Sequence, residues 1–288
     1  MSKLTQNKTD FRLYLDQAKL GDEGVCAFTQ SLDGACHLSV LDLQSNGIHA
    51  AGVSCLADSI CKGKIILTEN KSSSSSQYVD ITSSLYLSYN SLGLKGVITV
   101  AELIKHVCLM KFGLNLSRCQ LTKVGGHLSN TNPVDSLTGV IRDIGQQLCQ
   151  LPQTKYVTRL HLDDNNFNKE CIHILVGFMH LCSCVHELSC KNCGITSDDL
   201  RCLFAQLSEL KISFSGCSEL TKWDLRNNAI DNEGVTSIID HLSSVFPKVR
   251  VGGIFVKGNP DSIEMERRLR EACKKVRYLL CMHTFTDN

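Results

Sequence analysis

Leu41-Asp42-Leu43-Gln44-Ser45-Asn46-Gly47-Ile48-His49-Ala50-Ala51-Gly52 decides the fold, because the same phrase returns along most of the chain. Its outline is a pair of leucines spaced by two, an asparagine, an apolar anchor and a closing glycine. It recurs as Leu85/Leu87/Asn90/Leu92/Gly96, Leu114/Leu116/Cys119/Leu121/Gly125 and Leu160/Leu162/Asn165/Phe167. Two later copies are Leu188/Cys190/Cys193/Ile195 and Trp223/Leu225/Asn228/Ile230/Gly234. Degraded copies stand outside these, at Leu13/Leu15/Ala18/Leu20/Gly24 and at Ile254/Val256/Asn259/Pro260. Self-similarity at such a period is the mark of a solenoid.

Leucines spaced by two point to one side of a strand, and the residue between them points to the other. Those alternates (Asp42, Tyr86, Asn115, His161, Ser189, Asp224) are mostly polar, so one strand face is expected in the core and the other in water. The turn after each strand buries N–H and C=O groups that need partners. An inward asparagine amide offers both a donor and an acceptor, so a ladder of asparagines can satisfy stacked turns. Cys119 and Cys193 stand in that ladder as weaker substitutes.

Undisturbed copies start at 13 and 41, 85 and 114, 160 and 188, and 223 and 254, steps of 28, 29, 28 and 31 residues. Such a unit holds a strand, two connections and a helix of about three turns. Apolar spacing at Val25/Phe28/Leu32, Val53/Leu56/Ile60, Val97/Ala101/Ile104, Leu200/Leu203/Leu207 and Val235/Ile238/Leu242 predicts the helices. Strands pack roughly 4.8 Å apart and helices roughly 10 Å apart, so the stack must curve with the sheet inside. The expected fold is an α/β solenoid, a horseshoe of about eight repeats with a parallel sheet on the concave face and helices on the convex face. We expect a single domain over 1–288, with repeats over about 11–260 and a capping helix over about 261–281. Asp261 and Glu264 have capping-box spacing, and Ile263, Leu269, Cys273, Val276 and Leu280 make that helix's expected apolar stripe. Arg267, Arg268, Arg270, Lys274 and Lys275 lie largely off it, as the polar outer face of a terminal unit.

The unit length and the phrase L-x-L-x-x-N-x-I-x-x-x-G resemble the ribonuclease-inhibitor-like subclass of leucine-rich repeat proteins. Ribonuclease inhibitor, the sensor arms of NOD-like receptors and the Ran GTPase-activating protein belong to it. The resemblance runs from Phe11 to Pro260 and implies the horseshoe, but its motif residues are all core and ladder positions.

The chain carries 30 basic and 29 acidic residues, a balance that points away from nucleic acid or a membrane surface as partner. Met1 to Asp10 lacks an apolar leader segment and no apolar run approaches about 18 residues, so a cytoplasmic location is expected. The sixteen cysteines sit largely in phase with the repeats and read as free, small hydrophobes in a reducing compartment. His173, His180, Cys182, Cys184, His186, Cys190 and Cys193 form the densest ligand-type run. A zinc site needs four atoms about 2.0–2.3 Å from one metal, and the strand separates these candidates, so no metal is expected. No nucleophile elbow, H-E-x-x-H or phosphate loop occurs, and no cofactor is expected.

Three segments break the rhythm. Lys62 to Ile81, with its serine run, reads as a tolerated surface loop. Gly125 to Pro133 reads as a long loop on the strand-to-helix side, and 211–218 as a short extension.

Alternation predicts the binding face. Its outward positions are Tyr14, Asp16, Asp42, Gln44, Tyr86, Ser88, Asn115, Ser117, His161, Asp163, Ser189, Lys191, Asp224, Arg226 and Lys257, with Tyr89 and Arg118 at strand exits. Tyrosine and arginine are common interface anchors, and mixed charge favours a specific protein surface over a polyanion. Tyr86 and Arg226 are expected outside the core, where replacing both leaves folding intact. The expected function is a non-catalytic protein-binding scaffold. Two rival readings stand beside it. One is a GTPase activator resembling the Ran GTPase activator, with Arg118 as the residue to test; the basic Lys274-Lys275-Val276-Arg277 departs from the acidic tail that resemblance implies. The other is a structural subunit of a cytoskeletal or ciliary assembly.

Overall fold

The computed structural model describes residues 11–67, 84–107, 112–123, 133–154, 157–167, 171–182, 184–210, 219–220, 222–245, 250–251 and 253–275. Strand and helix alternate along them. The chain opens with β1 (Phe11–Tyr14), α1 (Gly21–Gln30), β2 (Cys36–Asp42) and α2 (Ala50–Cys61). A short β3 (Ile65–Leu67) and β4 (Ser84–Tyr86) precede α3 (Gly93–His106) and β5 (Phe112–Asn115). Next come α4 (Pro133–Gln150), β6 (Val157–His161), α5 (Ile172–Leu181), β7 (Glu187–Ser189) and α6 (Ser197–Glu209). The last elements are β8 (Glu219–Leu220), β9 (Lys222–Asp224), α7 (Asn232–Val245), β10 (Arg250–Val251), β11 (Ile254–Phe255) and α8 (Ser262–Lys275).

The strands β1, β2, β4, β5, β6, β7, β9 and β11 lie side by side in that order, all parallel. Their register is the repeat phase. Leu13 lies opposite Leu41, Leu41 opposite Leu85, Leu85 opposite Leu114, and Leu114 opposite Leu160. Leu160 then faces Leu188, Leu188 faces Trp223, and Trp223 faces Ile254. Each helix packs on the next, and one continuous apolar core runs between sheet and helices from Val25 to Leu269. The architecture is the α/β solenoid expected from the repeats.

The ladder runs through this core. Asn90 donates from Nδ2 to the carbonyls of Leu43 (2.9 Å) in the preceding repeat and Leu87 (2.8 Å) in its own. Its Oδ1 accepts the N–H groups of Asn46 (3.0 Å) and Ile48 (2.9 Å). Asn228 repeats the pattern on Cys190, Leu225, Cys193 and Ile195. Asn46, Asn165 and Asn259 each bridge to the preceding repeat through both amide atoms. At Cys119 and Cys193 the thiol replaces the amide and donates to Leu87 O (3.0 Å) and Leu162 O (3.3 Å). Burial pushes both thiols up to about 12, which keeps the proton on sulfur and the donor intact at neutral pH.

Residues immediately before the ladder position share one backbone conformation. Gln17, Ser45, Tyr89, Arg118, Asp164, Asn192 and Asn227 all have φ between 51° and 59°, and Gly258 has φ 80°. The left-handed residue reverses the chain so that the next side chain points inward. The closing glycine has a separate reason: a Cβ on Gly52 would meet Ile48 Cγ2 at 2.8 Å and Asp22 Oδ1 at 2.7 Å. The first turn of α2 rests directly on its own anchor residue, and only a bare Cα fits.

Four expectations are corrected. Residues 65–67 are not loop: β3 pairs with the start of β2 and buries Ile65 and Leu67. The capping box is not at Asp261, which has φ 53°, while Glu264 turns to Arg267; a complete one stands at Thr196 and Asp199 before α6. Ile263 does not join the apolar stripe of α8: it is 87% exposed, and Met265 takes its place beside Leu269, which is buried as expected. Arg268 docks this helix on α7 through Asn232 O (2.6 Å) and Thr236 Oγ1 (2.7 Å). Finally, not all cysteines are thiols, because Cys26 of α1 and Cys55 of α2 form a disulfide with Cα atoms 5.3 Å apart. Their separation of 29 residues is one repeat, so the same phase that explains them as neighbours of the core also sets them side by side. The serine run, the 125–132 segment, 211–218 and the chain beyond 275 lie outside the described residues.

Two outcomes are expected. Asn165→Ala should lower stability by about 1–3 kcal/mol, because its loss strands buried backbone groups in two repeats. A denaturation midpoint equal to the parent's would remove Asn165 from the ladder. A digest of alkylated, non-reduced protein should contain a Cys26–Cys55 cross-linked peptide pair that disappears on reduction; two separately alkylated peptides would show the thiols free.

Candidate functional site

The face of the sheet away from the helices is built by three positions per repeat. These are the residue before the first leucine, the one between the leucines and the one after the second. The register aligns the middle position into a single row: Tyr14, Asp42, Tyr86, Asn115, His161, Ser189, Asp224 and Phe255. The row before it holds Arg12, Val40, Ser84, Gly113, Arg159, Glu187 and Lys222. Alternation puts Asp16, Gln44, Ser88, Ser117, Asp163, Lys191, Arg226 and Lys257 in the third.

Several of these side chains are committed to the fold. Asp42 is buried and accepts the Gln44 N–H (3.0 Å) and Gln44 Nε2 (2.9 Å). Asn115 accepts the Ser117 N–H (3.0 Å), and Ser88 donates to Gln44 Oε1 (2.5 Å). A carboxylate or amide at the middle position thus ties down the strand exit two residues on. Asp224 goes furthest, with a fully buried side chain held by Arg226 through Nε (2.9 Å) and Nη2 (2.8 Å). Asp163 accepts from Ser189 Oγ (2.5 Å) and the Lys191 N–H (2.9 Å), with Lys191 Nζ at 3.4 Å. Ser189 is buried beneath them.

His161 sits half-buried in the middle row. Burial pushes its pKa below the ordinary histidine value, and the charges of Asp163 and Glu187 offset that only in part. It is therefore neutral at pH 7, an uncharged centre among the charges of the later repeats.

At the strand exits a rail crosses four repeats. The guanidinium of Arg118 lies 4.9 Å above the ring of Tyr89, and Arg118 Nε donates to Asp164 Oδ2 (3.0 Å). Asn192 Nδ2 donates to Asp164 Oδ1 (2.6 Å). Desolvation alone would raise the Asp164 pKa, but Asn192 and Arg118 outweigh it and leave the carboxyl below its usual range. Asp164 in turn raises the pKa of Arg118.

The structure therefore separates the residues that alternation had grouped. Tyr14 and Tyr89 are open aromatic surface, 58% and 52% exposed, and Asp16 is exposed at the first exit. Gln44, Tyr86, Asn115, His161, Lys191 and Arg226 are half-buried, while Asp42, Ser88 and Asp224 are buried. Arg226 in particular anchors a buried carboxylate, which corrects the expectation that it can be replaced without cost. Reading the strands one step further back would have found Arg159, Glu187 and Lys222, and one repeat further on Phe255. The rail residues Asp164 and Asn192 carry their own signal, since each immediately precedes a ladder residue.

Potential metal ligands remain dispersed. Among the described residues no three His, Cys, Asp or Glu side chains gather as a metal site, and Cys182, Cys184, Cys190 and Cys193 are buried in core or ladder. No helix of the described residues is long and apolar enough to cross a membrane.

Arg226→Glu should lower stability by about 3–5 kcal/mol, the cost of leaving a buried charge unpaired. Tyr89→Ala, at an exposed site, should stay within about 0.5 kcal/mol of the parent. Equal melting behaviour of the two variants would overturn the assignment of Arg226 as the anchor of Asp224.

A family model described as Leucine Rich repeat matches residues 34–57 and 216–238. No curated protein matches the chain. The two matches cover the second and seventh phased strands, each with its ladder asparagine. Set within one parallel sheet of eight aligned strands, they support a leucine-rich repeat protein, and the fold is that of a leucine-rich repeat solenoid.

Proposed function

We propose that this protein is a non-catalytic, cytoplasmic scaffold that holds another protein on the concave face of its sheet. Leucine-rich repeat domains generally mediate protein–protein interaction, and a curved sheet presents a wide surface without a chemical centre. One observation carries the reading: Tyr14 and Tyr89 are large exposed aromatics on or beside a face whose charged residues are largely paired with one another. Exposed rings beside an ordered polar network are what a protein interface uses as anchors and rim. Paired charge of both signs supports a protein partner over nucleic acid or a lipid surface. The whole chain as one domain, and its likeness to the ribonuclease-inhibitor-like subclass, belong to the same proposal. The cytoplasmic placement rests on the ten described cysteines that stand as thiols; the Cys26–Cys55 bridge pulls the other way.

Arg118 is the observation behind the GTPase-activator reading, being half-exposed at a strand exit. Its guanidinium would have to leave both Asp164 and Tyr89 to reach a phosphate, so we rank that reading second.

The test is affinity capture from native cells with the parent and with Tyr14→Ala/Tyr89→Ala, both shown folded by their melting curves. Loss of the same identified partner from the double variant supports the concave face. An unchanged partner set removes it, and a GTPase whose hydrolysis falls with Arg118→Ala moves the second reading to first.

A further inference from the structure

Anions and cations on the later half of the concave face are not equally available. Asp224 is wholly buried under the fork of Arg226, and Asp163, 13% exposed, is filled by Ser189, the Lys191 N–H and Lys191 Nζ. Glu187 is paired with Arg159 Nε at 3.3 Å. The ammonium groups lie further out. Lys191 is 37% and Lys222 40% exposed, and Lys257 is exposed at the last turn. Lys222 Nζ lies 3.9 Å from an Asp224 oxygen already taken by Arg226. The half-buried ring of Phe255 stands beneath Lys222 (5.7 Å) and Arg226 (5.9 Å) and holds both over the sheet. An incoming cation would find Asp163, Glu187 and Asp224 already occupied, whereas an incoming anion meets lysine first.

Resting on the concave-face reading, we propose that β7, β9 and β11 receive an acidic segment of the protein partner, its carboxylates meeting Lys191, Lys222 and Lys257. A short acidic peptide fits better than a polyanion. The nearby Arg159 and Arg226 are tied into carboxylate pairs and Lys191 keeps its outer end open beside Asp163, so the available charge is three lysines on adjacent strands and not a long track of phosphate ligands. The repeats of β4 and β5 differ: Ser84, Ser88, Gly113, Asn115 and Ser117 carry no charge, so orientation along the horseshoe is set by where the partner's acidic segment lies.

The experiment is fluorescence anisotropy with the full chain and a labelled glutamate-rich peptide, compared with a lysine-rich peptide of equal length and with oligouridylate. The glutamate peptide should bind, weaken with added salt, and lose roughly three- to tenfold in affinity in Lys222→Ala/Lys257→Ala, as expected for two solvent-screened charges. If that variant does not fold, Lys257→Glu, at an exposed turn, carries the same test. No binding of the glutamate peptide, equal affinity in the folded variant, or tighter binding of the lysine peptide or of oligouridylate overturns the proposal. The same lysine variant separates it from the broader reading in cell capture. A partner lost with Tyr14→Ala/Tyr89→Ala but kept with the lysine variant removes the acidic segment alone, and a partner kept by both removes the concave face as well.

Discussion

A buried amide that reaches back one repeat is the interaction on which the rest of this structure depends. Strand exits leave N–H and C=O groups inside an apolar core, where each unpaired group would cost about 1–3 kcal/mol. Asn46, Asn90, Asn165, Asn228 and Asn259 answer that cost for the repeat before them as well as for their own. The bond is therefore both a turn and a joint. It explains why neighbouring repeats keep register through a sheet whose strands are as short as two residues.

The joint weakens where cysteine takes the position. Cys119 and Cys193 donate one bond each to the preceding repeat, and sulfur is a poorer acceptor than an amide oxygen. Both cysteines alternate with asparagines along the stack, so each weak joint is flanked by strong ones. Ala18 has no polar side chain at all; the joint between the first and second repeats is the ordinary one from Asn46 to Leu15 and Leu20, reinforced by Asp22 on the first turn of α2 and by the Cys26–Cys55 bridge. A disulfide and a carboxylate hydrogen bond thus add to the ladder at its first joint.

The concave face shows how much a polar side chain can be used up by its own fold. Asp42, Asn115 and Asp224 occupy the most prominent outward row, yet each accepts the N–H of the residue two places on. What stays open on and beside this face includes the aromatic surface of Tyr14 and Tyr89, Asp16, Arg118 and the outer ends of the lysines. The proposed interface would draw its specificity from shape and from the placement of a few cations, with the acidic groups serving to position them.

The sequence by itself determined the repeat, its phase, the ladder and the strand register. Those depend on local periodicity, and the leucines at 41, 85, 114, 160 and 188 pair as their spacing requires. It also indicated which side of each strand faces water. Tertiary structure alone decided which of those outward residues are free, because burial and pairing arise between repeats and not within them. Arg226 and Lys257 look alike in sequence, but one clamps a buried carboxylate and the other stands in solvent. Cys26 and Cys55 look like core residues one repeat apart, and only the side-by-side packing of α1 and α2 brings their sulfurs together. Ile263 reads in sequence as part of a helical stripe with Leu269, but six residues do not bring two positions to one helix face; Met265 shares the buried face with Leu269, and Ile263 stands in solvent.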